Sequence, residues 1–349
     1  MTITMKKLLF GVGVSLMLAG PAIAQDVHFT QYFTSPLTLN PAMTGLVSED
    51  IRFACNYRTQ WSSVSTNPYI TGTASFDMAM LKGKLPEGDA MGMGLMVLYD
   101  KSGTGGLTNT TAGLSLAYHK AFGFDRLQHI SIGFQGYYVQ KSLDFSKLTF
   151  EDMNIPGQGL VNPTKEFFPK TQIGYSDFNG GIMYSGKVAD HSTAYIGYSY
   201  YHLTNPTETF LSDNATIHSR HTGYLGGSFD MNENTVLYAS ALYQSQASAT
   251  EVVLGAAVGF VLNPGHDEEF QKNTIFYLGG WYRYGDAICP YIGLEWSKMR
   301  FGVSYDVNVS SFTPATSGMG AYEISIIYLG RINKQERNPN YNWSCPKVF

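Results

Sequence analysis

Eight ionisable residues carry the chemistry most readily read from this sequence. Arg52, Arg58, Arg283 and Arg300 stand against Asp77, Glu295, Asp306 and Glu323. Each lies in a run where polar and apolar residues alternate, and on an extended strand alternate residues share a face. In the clearest run Met299, Phe301, Val303, Tyr305 and Val307 share one side, and Arg300, Gly302, Ser304, Asp306 and Asn308 the other. Near the other end of the chain, Arg52, Asn56, Arg58 and Gln60 oppose Ile51, Phe53, Cys55 and Tyr57 in the same way. Charges enclosed between strands are costly unless paired and hydrogen-bonded. The chemistry expected of these eight is therefore ion pairing across a polar interior, or, as the plainer alternative, the lining of a water-filled channel.

Reactive chemistry is harder to find. The sequence has no Gly-x-Ser-x-Gly elbow, no zinc helix motif and no P-loop, so neither a nucleophile nor its base is signalled. His218 and His221 are three apart, which on one strand points them to opposite faces, away from a shared metal. No cofactor and no metal site is expected. A net charge of -4 leaves no basic stripe to neutralise phosphates, which excludes nucleic acid as a partner.

The elements that must position the eight charges follow from composition and period. Charged residues make up 14% of the 349, against roughly 25% in a soluble domain, while Gly (37), Tyr (24) and Phe (21) are abundant. Few charges and many aromatics suit a lipid-facing wall with aromatic girdles. Lys6 and Lys7, the apolar run from Leu8 to Gly20 and Ala22-Ile23-Ala24 read as a signal peptide over 1–24. Beyond it no apolar run approaches the roughly 20 residues that a membrane helix needs. Alternating segments separated by turn residues predict strands at 51–61, 68–80, 90–101, 108–120, 127–142, 174–186, 191–202, 218–231, 234–245, 249–263, 272–284, 287–296, 299–309 and 320–330. The fold class expected is all-β: a transmembrane outer-membrane β-barrel of about 14 antiparallel strands over 51–330, the even count that such barrels require. Longer connections at 143–173 and 203–217 fall on one side, and most tight turns on the other.

Two stretches fit no strand. Residues 25–50 carry Phe29, Tyr32 and Phe33, then Pro36 and Pro41 around Leu37, Leu39 and Asn40, and then Gly45. Prolines fix φ and favour turn geometry, and small residues permit close backbone approach. The tail, 331–349, mixes Pro339, Tyr341, Trp343 and Pro346 and ends on Phe349. With an even number of strands both stretches are expected at the same periplasmic mouth, as a plug or a docking surface. Cys345 could bridge to Cys55 or to Cys289, and the pairing stays open.

Pro36-Leu37-Thr38-Leu39-Asn40-Pro41-Ala42 with Gly45, Tyr57-Arg58-Thr59-Gln60-Trp61, Trp281-Tyr282-Arg283 with Asp286-Ala287, Gly302-Val303-Ser304-Tyr305-Asp306, Glu323-Ile324-Ser325 and Cys345-Pro346 before Phe349 occur in order along the chain. In these motifs the chain resembles the PorP/SprF family, outer-membrane proteins of the type IX secretion system of Bacteroidetes. The resemblance implies a non-enzymatic component that binds and retains or exports a partner cargo, such as a surface adhesin used in gliding, through the cargo's C-terminal signal domain. It implies further contacts with periplasmic type IX secretion components and with outer-membrane lipid. Leu39, Asn40, Pro41, Gly45, Trp343 and Phe349 are the residues expected to dock partners. A passive porin or small-solute transporter, and more remotely a barrel lipid hydrolase, are the competing readings.

Overall fold

The computed structural model describes residues 26–332 apart from 156, 158, 190, 191, 211–214, 263–273 and 312. The leader 1–24 and the tail from 333, with Trp343, Cys345 and Phe349, lie outside the described residues. Sixteen strands follow one another: β1 (Ile51–Gln60), β2 (Tyr69–Met80), β3 (Ala90–Ser102), β4 (Leu107–Phe122), β5 (Gln128–Ser142), β6 (Asn154–Ile155), β7 (Gly159–Leu160), β8 (Gln172–Ala189), β9 (Ser192–Tyr201), β10 (Arg220–Asn232), β11 (Thr235–Gln246), β12 (Ala249–Val261), β13 (Ile275–Arg283), β14 (Ala287–Trp296), β15 (Met299–Asn308) and β16 (Met319–Gly330). All but β6 and β7 form one closed barrel of 14 antiparallel strands. The seam pairs β1 with β16, from Ile51 opposite Gly330 to Gln60 opposite Ala321. No helix among the described residues is long and apolar enough to cross a membrane; the crossing elements are strands.

Strict alternation dictates which way each strand faces. In β3 and β4 Met93, Leu95, Val97, Tyr99, Leu114, Leu116 and Tyr118 are exposed on the outer wall, while Ser115 and His119 between them are buried inside. A slip of one residue would turn the polar set into lipid and the apolar set inward, so the register is strongly specified. The two ends of the barrel differ. At one end lie the connections 143–171 and 202–219, the first carrying the small β6–β7 hairpin. At the other, β1 begins, β16 ends, and turns such as 233–234 and 297–298 are tight. We call these the long-loop and short-turn mouths.

Eight strands enclose an interior that side chains just fill, and sixteen or more leave an open channel. Fourteen leave a lumen that needs further filling, and here the chain's own residues 26–47, the strap, lie in it. From Thr30 to Val47 every strap residue except Thr38 is buried. The two prolines make this path possible. Pro36 opens a helical turn, Pro36–Leu39, and Pro41 a 3-10 turn, Pro41–Met43. Both sit at the first position of their turn, where the missing N–H would be unpaired anyway.

Contacts place the two ends of the strap at opposite ends of the barrel. The Asp26 N–H donates to Gln246 Oε1 (2.9 Å), and Asp26 pairs with Arg220 (3.0 Å), at the long-loop ends of β11 and β10. Thr44 and Gly45 reach Ser115 and Asp77, and Glu49 meets Lys82 and Arg331 at the short-turn mouth. The leader-proximal stretch is expected at one mouth with the tail; the tail from 333 lies outside the described residues, and the start of the stretch is at the other end from Gly330. Asp26 and Gly330 are at opposite ends, because the strap runs the length of the lumen before β1 starts. A second difference is local: β10 begins at Arg220, so His218 lies in the preceding loop, where its carbonyl accepts from Gln246 Nε2 (3.2 Å).

Candidate functional site

The strap and the wall it touches form the candidate site, and its upper part is ionic. Arg58 on β1 pairs with Asp306 on β15 (2.8 Å) and Glu323 on β16 (3.3 Å), so these charges bridge the seam at which the barrel closes. Arg283 on β13 adds pairs with Asp306 (3.1 Å), Glu251 (3.2 Å) and Asp286 (3.0 Å). The strap completes this group. Thr30 Oγ1 donates to Asp306 (2.8 Å) and accepts from Arg58 (2.8 Å) and Arg283 (2.7 Å). The two Glu323 carboxylate oxygens accept the backbone N–H groups of Thr30 (2.8 Å) and Gln31 (2.9 Å). Gln31 Nε2 also donates to Ser304 Oγ and the Glu323 carbonyl (both 3.0 Å). Desolvated charges are tolerable only with such saturation.

The other four predicted charges are not part of this group. Arg52 holds Asp77 in a two-pronged contact (3.0 and 2.8 Å) nearer the short-turn mouth. There Arg52 also donates to the Met43 carbonyl (3.0 Å), and Asp77 accepts from the Gly45 N–H (2.7 Å). Arg300 and Glu295 pair with each other (2.8 Å), and Glu295 accepts from the Tyr277 hydroxyl (2.8 Å).

An aromatic wall lies across the lumen. Phe33 packs on Trp281 with ring centroids 4.7 Å apart and meets Tyr291 edge-on at 5.9 Å. The Tyr32 hydroxyl and Trp281 Nε1 both donate to Ser240 Oγ (2.7 and 3.1 Å). Tyr195, Tyr224, Tyr238 and Tyr277 extend this buried cluster, and Cys289 lies in it as a free thiol; Cys55 is also free.

The structure places Leu39, Asn40, Pro41 and Gly45 inside the barrel, all buried. Asn40 Oδ1 accepts from the Ala42 N–H (2.8 Å), capping the 3-10 turn, while its Nδ2 donates to the carbonyls of Ile182 (3.1 Å) and Tyr198 (3.2 Å) on β8 and β9. The Leu39 carbonyl accepts from Ser199 (2.7 Å). Below them, glycines let the strap backbone touch the wall. A Cβ on Gly133 would overlap the Pro41 carbonyl, and one on Gly92 the Thr44 carbonyl oxygen. These residues, expected to dock partners, contact the lumen wall and present no free surface in this arrangement.

Sequence reasoning missed the group at the long-loop mouth. His202 Nδ1 faces Asp177 (2.6 Å) and Nε2 faces Asp26 (2.8 Å), and Arg220 stacks on the Tyr201 ring 4.0 Å from its centroid. Both imidazole nitrogens face carboxylates, so both carry protons. Burial alone would lower the His202 pKa, but the bonds to Asp177 and Asp26 carry it up to about 9. Burial would likewise raise that of Asp26, yet Arg220 and His202 hold it well below the usual carboxylate range. His202 has a φ of +60°, uncommon for a non-glycine residue. An isolated histidine at a strand end gave no signal for this group; inward-facing Asp177 was the one clue available from parity.

Beyond the mouth, residues 143–171 are built on phenylalanines. Phe145 stacks on Phe168 (3.8 Å), which meets Phe150 (5.2 Å), and Phe145 meets Phe210 (6.0 Å) from the neighbouring loop. Lys141 on β5 and Tyr175 on β8 grip Glu208 (2.5 and 2.7 Å), tying the neighbouring loop to the two strands that flank 143–171. Phe167 is left 82% exposed, with Leu160 and Val161 also exposed. No three potential metal ligands gather among the described residues.

A closed 14-stranded barrel with apolar residues over its outer wall defines the class: an integral outer-membrane β-barrel protein. A family model described as type IX secretion system membrane protein PorP/SprF matches residues 22–328, and the chain belongs to that family. Among solved structures, it is similar to the Ralstonia pickettii toluene transporter TbuX, at 12% identity and a TM-score of 0.48 over 86% of this chain and 94% of that one. It is also similar to a Pseudomonas aeruginosa FadL homologue, at 11% identity and a TM-score of 0.48 over 84% and 94%. Haemophilus ducreyi BamA lacking POTRA domains 1-3 is a further match, at 10% identity and a TM-score of 0.41 over 80% and 69%. No curated protein sequence matches the chain.

Proposed function

We propose that this protein is a non-enzymatic component of the type IX secretion system that works by contact, binding a secreted cargo through the cargo's C-terminal signal domain and retaining or exporting it. One observation carries this reading: the chain's own strap occupies the lumen from one mouth to the other, which favours docking over solute passage. Cargo would meet the long-loop mouth, where Leu160, Val161 and Phe167 are exposed on a loop braced by phenylalanines. Apolar groups exposed on a braced loop mark a partner surface. Periplasmic machine components would meet the short-turn mouth, where the chain continues past Gly330.

The test replaces Leu160, Val161 and Phe167 together with Asp, in cells that display cargo. The expected result is loss of displayed cargo with the barrel present at normal level. Normal display in cells lacking the barrel altogether would overturn the reading. Passive solute transport, the rival, requires the strap to leave the lumen; steady conductance of the intact protein in a planar bilayer would favour it.

A further inference from the structure

We infer that the strap is threaded through the outer membrane, so that the chain at Asp26 stands on the cell-exterior side while Ser48, only 22 residues later, stands on the periplasmic side. Three observations combine. First, the contacts lead from one mouth to the other. Asp26 is held by Gln246, Arg220 and His202, at or just beyond the long-loop ends of β11, β10 and β9. Thr30 and Gln31 lie against Arg58 and Glu323, Tyr32 against Ser240 in the middle of β11, and Asn40 against β8 and β9. His119, hydrogen-bonded to Ser131, contacts the Thr44 carbonyl (2.8 Å), and Gly45 reaches Asp77, the register partner of Arg52 one step into β1.

Second, the strap cannot be a loosely inserted loop. Its carbonyls from Leu37, Thr38, Leu39, Met43 and Thr44 accept bonds from Gln135, Tyr201, Ser199, Arg52 and His119, which stand on four different strands. Buried backbone groups need partners, and here the wall supplies them along the whole path. Third, bacterial barrels place long loops outside and short turns in the periplasm, which gives the two mouths their sides. Arg331 and Ile332, held by Glu49 and Asp50, then fall on the periplasmic side.

The consequence is an outer-membrane protein in which Asp26 and Ile332 stand on opposite faces. Asp26, latched by Arg220, Gln246 and His202, stands at the long-loop mouth. The same peptide runs without a break into β1 at the periplasmic mouth. It is thus one covalent link between the exterior surface and the side that faces the cell.

Single cysteines test this in whole cells, in a chain whose Cys55, Cys289 and Cys345 are replaced with Ala. Val27→Cys and Ser48→Cys are exposed separately to a membrane-impermeant maleimide before and after outer-membrane permeabilisation, with Phe167→Cys as the marker of the long-loop side. Heat-modifiable gel migration confirms that each variant is folded. The expected result is that Val27→Cys and Phe167→Cys label in intact cells and Ser48→Cys labels only after permeabilisation. Labelling of Val27→Cys and Ser48→Cys from the same side overturns the inference, as does a Val27→Cys that reacts only once the protein is unfolded.

Discussion

The strap meets two kinds of wall, and each holds it differently. Against β1, β13, β15 and β16 it is bound by charge: Arg58, Arg283, Asp306 and Glu323 surround Thr30 and Gln31, and the strap's own N–H groups and hydroxyl fill positions that the wall residues leave open. Against β11, β13 and β14 it is bound by bulk: Tyr32 and Phe33 lie among Ser240, Trp281 and Tyr291. Directional bonds to ions specify one position along the lumen, whereas aromatic packing tolerates small shifts. The charged side therefore sets the strap's register, and the aromatic side supplies most of the apolar burial.

Deleting residues 26–47 removes both holds at once and should have the largest effect. Burial of Phe33, Leu37, Met43 and Leu46, each nearly complete, is worth roughly 1.5–3 kcal/mol per side chain. The deletion should cost on the order of 10 kcal/mol on that scale and leave an open lumen. Planar-bilayer recording should then show conductance that the intact protein lacks. A deletion variant that remains closed and equally heat-resistant would mean that the strap fills nothing essential.

The next effect separates the two walls. Arg58→Met leaves Asp306 and Glu323 buried beside a neutral chain, and breaking a buried pair costs about 3–5 kcal/mol. Trp281→Phe keeps an aromatic ring in place but leaves a gap, at a cost of about 1–3 kcal/mol. Denaturant titration in detergent should rank Arg58→Met as the more damaging. The reverse order would assign register to the aromatic wall.

Much of this architecture was legible before any coordinates. Period-2 alternation marks strands with one face in lipid, and it also separated Arg52, Arg58, Asp77, Arg283, Asp306 and Glu323 from their apolar neighbours. Parity tells which face a residue is on but not how far along the barrel its partner stands. That is why Arg52–Asp77 and Arg300–Glu295 are separate pairs, distinct from the group around Arg58. The strap had no period at all. Pro36 and Pro41 announced turns, and Gly45 a close approach, but its direction depends on the distant Gln246 and Arg220. The latch was invisible for the same reason: Asp26, Asp177, His202 and Arg220 are separated by long stretches of chain and meet only when β8, β9 and β10 pair.

A smaller effect probes the aromatic wall from the strap side. Phe33→Leu and Trp281→Leu, made singly and together, form a cycle in which the strap–wall contact is the only shared term. A coupling of about 0.5–1.5 kcal/mol is expected for a ring pair of this kind, measured from denaturant midpoints. Additive losses would show that the two rings occupy the same cluster without holding each other.

The smallest effect belongs to the latch, and its sign follows from the two shifted groups. Asp26 is depressed, so its contribution is present above the unfolded carboxylate value of about 4 and is lost as pH falls through its folded value. His202 is raised to about 9, so its contribution is complete below the unfolded value near 6.5. It declines from there and is gone once pH has risen through the folded value. The charges facing the imidazole are Asp26, Asp177 and Arg220, with the Tyr137 hydroxyl beside Asp177. The stability advantage of the intact protein over His202→Gln should therefore be greatest between about pH 4 and 6.5 and should shrink steadily towards pH 9 and above. Melting temperatures of the two proteins across that range give the answer. A difference that stays constant with pH would mean that His202 acts there by shape alone, leaving Arg220 as the residue that anchors Asp26.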